Sequence, residues 1–290
     1  MTRSGFVAIV GRPNAGKSTL TNALVGEKVA ITSVRPQTTR RAIRGIVNLP
    51  DAQLILVDTP GLHRPRTLLG ERLNDLVRDT LAEVDVIVFA LPANEKVGPG
   101  DRFIAARLVP ARTIAVATKS DLVGPERLAT HLLDIAALGE WAEIIPVSAA
   151  TGDQLDILIK LLVDRMPEGP LLYPDGEPTD EPLDVRVAEL IREAALDGVR
   201  EELPHSLAVL VEEIVPREGG PTLVRADVYV ERDSQKAIVI GAKGARLRDV
   251  GIRARTEIEA LLGTRVYLDL HVRVAKDWQR DPKYLRRLGF

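Results

Sequence analysis

The chain has 290 residues, 45% of them apolar and 28% charged, with no cysteine and a formal net charge of −2. That length favours two domains over one core. The missing cysteine excludes disulfides and thiolate metal sites, and the near-neutral charge argues against a general affinity for polyanions. No apolar stretch approaches the ~20 residues of a spanning helix. The first strand begins within a few residues of Met1, which reads as leaving no room for a signal peptide.

A short apolar run, Phe6–Val10, predicts the first strand and leads directly into Gly11-Arg12-Pro13-Asn14-Ala15-Gly16-Lys17-Ser18. Two glycines at this spacing let the backbone curl so that successive N–H groups face a polyphosphate. Lys17 then reaches the β- and γ-phosphates, the Ser18 hydroxyl can ligate Mg²⁺, and the helix predicted over Lys17–Leu24 adds its positive end. The phosphate-binding set is therefore Gly11, Asn14, Ala15, Gly16, Lys17, Ser18 and Thr19. An ordinary turn carrying a surface lysine is the alternative reading of this loop taken alone.

Strands are predicted next over Ile43–Leu49 and Gln53–Asp58, the pair joined through Pro50-Asp51 as an antiparallel hairpin at a sheet edge. Further strands fall at Val86–Leu91, Thr113–Thr118 and Glu143–Pro146, and helices at Leu69–Val84, Asp101–Leu108, Pro125–Leu138 and Gln154–Leu162. This alternation predicts a mostly parallel sheet with helices on both faces, an α/β fold.

Four segments beside these strands extend the first motif. Asp58-Thr59-Pro60-Gly61 ends an apolar strand, so Asp58 can hold Mg²⁺ and the Gly61 N–H can sense a γ-phosphate. Pro36-Gln37-Thr38-Thr39-Arg40 offers a threonine to complete the metal shell, with Thr39 the choice and Thr38 the alternative. Thr118-Lys119-Ser120-Asp121 follows another strand, where Asp121 can accept the N1 and N2 hydrogens of guanine. Ser148-Ala149 follows the last strand, where a backbone N–H can meet the guanine carbonyl. Each of the last three fits a plain turn or strand end, and it is their order after successive strands that carries weight.

The stretch from Pro167 to Pro182 is rich in proline, glycine and acid, so the domains are expected at 1–168 and 183–290 with a linker over 169–182. Beyond it the pattern predicts a helix over Leu183–Glu201, strands over Ser206–Pro216 and Leu223–Glu231, two helices, and a strand over Arg265–Val274. Gly241-Ala242-Lys243-Gly244 lies between the two helices and is followed by Arg246, Arg248, Arg253 and Arg255. From Lys236 to Phe290 there are 13 Lys and Arg against 6 Asp and Glu. A solvated surface is the ordinary explanation of such a block.

Taken together, GRPNAGKS, QTTR, DTPGLH, the Thr118–Asp121 and Ser148-Ala149 segments and the G-x-x-G resemble the Era-type GTPases, bacterial GTPases that assist assembly of the small ribosomal subunit. The resemblance covers nearly the whole chain. It implies a P-loop GTPase domain followed by a smaller α+β type II KH domain, with GTP or GDP and Mg²⁺ as cofactors. It places Thr118, Lys119, Asp121, Ser148 and Ala149 at the guanine. It places Gly241, Ala242, Lys243, Gly244, Arg246 and Arg248 at RNA, which KH domains bind as single strands. The implied partners are the 3′ end of 16S rRNA and the 30S subunit. A cytoplasmic monomer is implied, with at most peripheral contact at the inner face of the cell membrane.

Two departures bear on mechanism. The family's fourth motif usually begins with asparagine, which braces the phosphate loop and touches the base; Thr118 stands here instead. Looser guanine selectivity, or a P-loop ATPase with relaxed base specificity, follows as an alternative. After Gly61 stands Leu62 rather than a water-orienting glutamine. In the subgroup with an apolar residue there, an asparagine at the Asn14 position can help bind K⁺, while His63 is a lone histidine in a switch loop. An RNA-binding factor whose nucleotide is structural and barely hydrolysed is the remaining alternative.

Overall fold

The computed structural model describes residues 2–32, 39–62, 67–198 and 203–290. They group into two compact units, one of residues 1–66 and 70–180, the other of residues 181–290 with 67–69.

The first unit is a six-stranded sheet ordered β2-β3-β1-β4-β5-β6. The strands are β1 (Arg3–Gly11), β2 (Ile43–Leu49), β3 (Ala52–Asp58), β4 (Val86–Pro92), β5 (Thr113–Thr118) and β6 (Glu143–Pro146). Only β2 runs antiparallel, forming the expected hairpin with β3. Strand parity sorts the core. Val7 and Ile9 of β1 join Leu54, Leu56, Val86 and Val88 on the face covered by α1 (Lys17–Val25) and α5 (Leu155–Val163). Ala8 and Val10 join Ile87, Phe89 and Leu91 on the face covered by α2 (Leu68–Glu83), α3 (Pro99–Ala105) and α4 (Pro125–Ala136). A strand buried on both faces needs this unbroken apolar run. In the sheet β1 lies between β3 and β4, which follow one another in the chain but sit on its opposite flanks. The chain order therefore reverses at β1, which opens a crevice beyond the carboxyl ends of the strands.

The stretch read as a linker is hydrogen-bonded to this sheet through residue 180. Gln53, wholly buried at the start of β3, accepts from the Leu172 N–H at 2.8 Å and the Tyr173 N–H at 2.9 Å, and its amide donates to the Tyr173 carbonyl at 3.0 Å. Along the outer edge of β2 the Ile46 N–H donates to the Pro178 carbonyl at 2.8 Å, and Thr179 Oγ1 donates to the Arg44 carbonyl at 2.6 Å. Arg44 pairs with Asp180 at 2.9 Å, and the Tyr173 hydroxyl donates to the same carboxylate. An edge strand presents unpaired backbone groups, and this strap occupies some of them.

The second unit contains α6 (Leu183–Leu196), α7 (Leu203–Ser206), β7 (Ala208–Val215), β8 (Thr222–Val230), α8 (Asp233–Ile240), α9 (Ala245–Leu262), β9 (Val266–Val274) and α10 (Pro282–Arg287). Its sheet is ordered β7-β8-β9, with β7 antiparallel and β9 parallel to β8. Val224, Ala226, Val228 and Val230 alternate onto the face packed against α6, α8 and α9. Three details differ from the sequence expectation. Helix α6 ends at Leu196, before a left-handed Gly198, rather than running to Glu201. Leu203–Ser206 is a helical turn, so the next strand starts at Ala208. Helix α10 was not anticipated, although Asp281 caps it by accepting from the Lys283 N–H with Pro282 at its first position.

The strap gives a direct prediction. Replacing Gln53 with leucine keeps the bulk but leaves the Leu172 and Tyr173 amides without their acceptor, at a cost of about 1–3 kcal/mol. Hydrogen exchange should report selectively faster exchange of these two amides, by roughly tenfold or more for each 1.4 kcal/mol lost; unchanged protection would mean that Gln53 does not hold the strap.

Candidate nucleotide-binding site and nucleic-acid surface

The loop after β1 takes its shape from left-handed residues. Asn14 has φ 63° and Gly16 has φ 88°, and Gly16 caps α1. Asparagine tolerates this region better than most side chains. Lys17 is buried and donates through Nζ to the Gly11 and Arg12 carbonyls at 3.3 and 3.1 Å. The ammonium thus lies folded over the loop whose N–H groups it would share with a phosphate chain. Gly61 closes the other side: a β-carbon there would lie 2.9 Å from the Pro13 nitrogen.

Ser18, Thr39 and Asp58 converge from three separate segments. Ser18 Oγ donates to Asp58 Oδ2 at 2.6 Å, Thr39 Oγ1 lies 3.0 Å from Ser18 Oγ, and Thr39 Oγ1 donates to Asp58 Oδ2 at 3.3 Å. Asp58 has no exposed surface, and its Oδ1 has no hydrogen-bond partner. Burial pushes the Asp58 carboxyl above its ordinary range, opposed by the Lys17 charge and by the Ser18 and Thr39 hydroxyls. Burial also lowers the Lys17 pKa, with Asp58 opposing. An oxygen-only donor set with one carboxylate and an unfilled buried acceptor suits Mg²⁺, which keeps few protein ligands and takes the rest from phosphates and water. Among the described residues no cluster of three or more His, Cys, Asp or Glu offers an alternative metal site. Thr38 and His63 lie outside the described residues.

The loops beyond β5 and β6 meet the phosphate loop. Thr118 Oγ1 donates to the Ala15 carbonyl at 2.6 Å, and Lys119 Nζ donates to the Asn14 carbonyl at 2.9 Å. The Asp121 carboxylate is exposed and accepts from Ser148 Oγ at 2.7 Å, while Ser148 Oγ accepts from the Thr151 N–H at 3.1 Å. The Ser148 N–H is spent on the Asp153 carbonyl at 3.1 Å. Of the expected pair, Ser148 therefore orients Asp121, and the Ala149 N–H is the donor to consider for a guanine carbonyl. Thr19 is exposed on the first turn of α1.

The Arg12–Asp101 pair escaped the sequence reading. Arg12 reaches from the phosphate loop to Asp101 at 2.7 Å and Glu95 at 3.2 Å, and a β-carbon on Gly100 would lie 2.7 Å from the Arg12 side chain. Asp101 also accepts from the Gly98 N–H at 2.8 Å, so the start of α3 anchors the loop. Leu62 packs against the apolar cluster beneath β4, so it cannot orient a water molecule.

In the second unit the G-x-x-G turn is sharply bent: Gly241 has φ 71°, Lys243 φ 50° and Gly244 φ 77°. A β-carbon on Gly241 would lie 2.7 Å from that of Arg246. Ala242, Lys243 and Arg248 are exposed. The other arginines divide differently. Arg246 donates to the carbonyls of Asp197 at 2.8 Å and Ala195 at 3.3 Å, closing the end of α6. Arg253 pairs with Asp197, and Arg273 with the buried Asp227. Ile238 on α8 and Ile252 on α9, the helices before and after the turn, are 52% and 51% exposed. Of Tyr229, Tyr267, Trp278 and Tyr284, only Tyr267 is well exposed.

This geometry has close counterparts. Residues 6–119 match the family described as 50S ribosome-binding GTPase, and residues 202–279 match the KH domain family. GTPase Era of Nocardioides sp. is 68% identical over 301 residues, covering 99% of this chain and 96% of that protein. GTPase Era of Streptomyces coelicolor is 67% identical, covering 99% and 95%. A crystal structure of a substituted Aquifex aeolicus Era bound to GDP and AlF4⁻ superposes with a TM-score of 0.95 at 40% identity, covering 99% of each chain. An Era in complex with MgGDPNP and nucleotides 1506–1542 of 16S ribosomal RNA superposes with a TM-score of 0.96 at 40% identity, covering 100% of this chain and 99% of that one. With such identity spanning both units, this chain belongs to the Era family of GTPases.

Proposed function

We propose that this chain uses GTP binding and hydrolysis to control how its KH domain holds the 3′ end of 16S rRNA during assembly of the small ribosomal subunit, in the cytoplasm. The observation that carries the reading is the convergence of Ser18, Thr39 and Asp58 in a chain that also presents a bent G-x-x-G turn. The family description of the first half names the large subunit. The relative bound to 16S rRNA aligns over both halves, so it is the more specific guide.

Lys17, Gly61 and the N–H groups from Asn14 to Thr19 would bind and orient the β- and γ-phosphates. Ser18, Thr39 and Asp58 would hold Mg²⁺, which when bound neutralises developing phosphate charge. Thr39 lies four residues before β2, so its engagement would couple the γ-phosphate to the start of that strand. Attack of water on the γ-phosphorus breaks its bond to the bridging oxygen, giving GDP and phosphate. Leu62 is turned into the core and contributes nothing to orienting that water, which favours slow intrinsic turnover. Asn14, exposed at the rim of the loop, is the proposed K⁺ ligand. Lys243 and Arg248 would contact the RNA backbone, with Gly241, Ala242 and Gly244 permitting close approach and Ile238 and Ile252 offering apolar surface to the bases. Arg246 would act by fixing the turn against α6. No helix among the described residues is long and apolar enough to cross a membrane.

Four measurements test this reading. Lys17→Ala should abolish GTP turnover. Asp58→Asn should reduce the Mg²⁺-dependent gain in GTP affinity from at least about tenfold, or 1.4 kcal/mol, to less than about threefold. Affinity for an oligonucleotide of the 16S rRNA 3′ end should differ by about tenfold or more between the GTP-analogue and GDP forms, whereas equal affinity together with identical scattering profiles would defeat the switch. If Asn14 holds K⁺, turnover in KCl should exceed that in NaCl, and Asn14→Ala should erase the difference.

A further inference from the structure

We propose that Thr118 braces the phosphate loop and leaves one edge of the bound guanine unread, so that this chain takes guanine nucleotides without a contact to N7. The inference rests on the guanine-nucleotide reading above. Thr118 stands at the end of β5, 4% exposed, and its Oγ1 donates to the Ala15 carbonyl at 2.6 Å. A carbonyl can only accept and a hydroxyl carries one proton, so that proton is committed. Withdrawing it would leave a buried acceptor unpaired. Lys119, in the left-handed region with φ 57°, ties the preceding carbonyl of Asn14 at 2.9 Å. Two consecutive carbonyls of the phosphate loop thus hang from two consecutive side chains, and position 118 serves the loop.

What remains for the base follows from counting donors. Guanine offers donors at N1 and N2 and acceptors at O6 and N7. Asp121, held by Ser148 Oγ at 2.7 Å, supplies acceptors for N1 and N2. The Ser148 N–H is occupied by the Asp153 carbonyl, which leaves the Ala149 N–H for O6. Reading N7 from position 118 needs a second proton. A carboxamide there could spend one N–H on Ala15 and keep a second polar hydrogen for the base; threonine has no second polar hydrogen. Guanine recognition is therefore concentrated on Asp121 and Ala149.

The test compares GDP with 7-deaza-GDP, in which N7 is replaced by C–H, using the full chain with Mg²⁺. The parent should bind both within about twofold. Thr118→Asn should bind GDP more tightly and acquire a preference for GDP over 7-deaza-GDP of about fivefold or more, the size of one modest hydrogen bond. Thr118→Val removes the proton but keeps the shape, and should weaken both ligands alike, by about tenfold. A marked 7-deaza penalty in the parent, or none in a folded Thr118→Asn, would overturn the proposal, as would a Thr118→Val that binds like the parent. None of those outcomes touches the guanine-nucleotide reading itself, which would fail instead if ADP competed as well as GDP.

Discussion

Everything in the first unit is organised around two opposite charges kept out of water. Lys17 and Asp58 are both buried, and burial pushes each towards its neutral form. A fold selected only for stability would replace such a pair with apolar side chains, because desolvating two ions offsets much of their attraction. Their retention makes sense if a more highly charged guest completes the site. A triphosphate would give Lys17 a partner stronger than the carbonyls of Gly11 and Arg12, and a divalent cation would give Asp58 Oδ1 the partner it lacks. The cost in the ligand-free protein then returns as differential affinity for the nucleotide-bound state.

That arrangement demands a rigid loop, and the structure tethers it from three directions. Arg12 is drawn to the start of α3, Asn14 and Ala15 are held by Lys119 and Thr118, and Gly61 closes against Pro13. The tethers come from elements distant in sequence, so preorganisation depends on the whole sheet being assembled. Preorganised dipoles need not reorient when charge develops at the γ-phosphate, which is where electrostatic stabilisation has its largest effect. The strap over residues 172–180 extends the same logic to β2, whose upstream neighbour Thr39 is hydrogen-bonded to Ser18 and Asp58. A segment that looked like a flexible connector in composition is fixed by the side chain of Gln53 and the edge of β2.

The contrast between what could and could not be read from sequence follows from the range of each interaction. The central strands were legible because burial on both faces imposes apolar runs, and β4 and β5 fall within a residue of where those runs fall. The P-loop was legible because its constraint is local backbone geometry. Arg12–Asp101, Gln53 with the strap, and Arg246 at the end of α6 were not, since each joins residues separated by dozens of positions through one polar contact with no periodic trace. Net charge misled for the same reason. The basic block after Lys236 looked uniform, yet Arg246, Arg253 and Arg273 are occupied inside their own unit, while Lys243 and Arg248 face solvent. The short helix α10 did carry a signal, an aspartate before proline, too brief to outweigh the surrounding loop composition.

Backbone strain marks the same places as chemistry. Among the described residues, non-glycine side chains adopt positive φ at Asn14, Lys119, Gln154, Lys243 and Asp277. Three of these five lie in the phosphate loop, the loop after β5 and the G-x-x-G turn. Each such residue costs of order 1 kcal/mol or more and persists only when its surroundings overdetermine it. At Lys119 the compensation is visible: the strained backbone aims Nζ at the Asn14 carbonyl, whose own residue is left-handed. At Lys243 the flanking glycines take up the rest of the bend and the side chain is exposed, so the strain serves the outward display of a cation and a bare backbone. The two turns therefore use one device for different ends. In the first, the left-handed Asn14 and Gly16 bend the loop so that Lys17 folds onto its carbonyls. In the second, the left-handed Gly241, Lys243 and Gly244 turn the chain outward at an exposed Lys243.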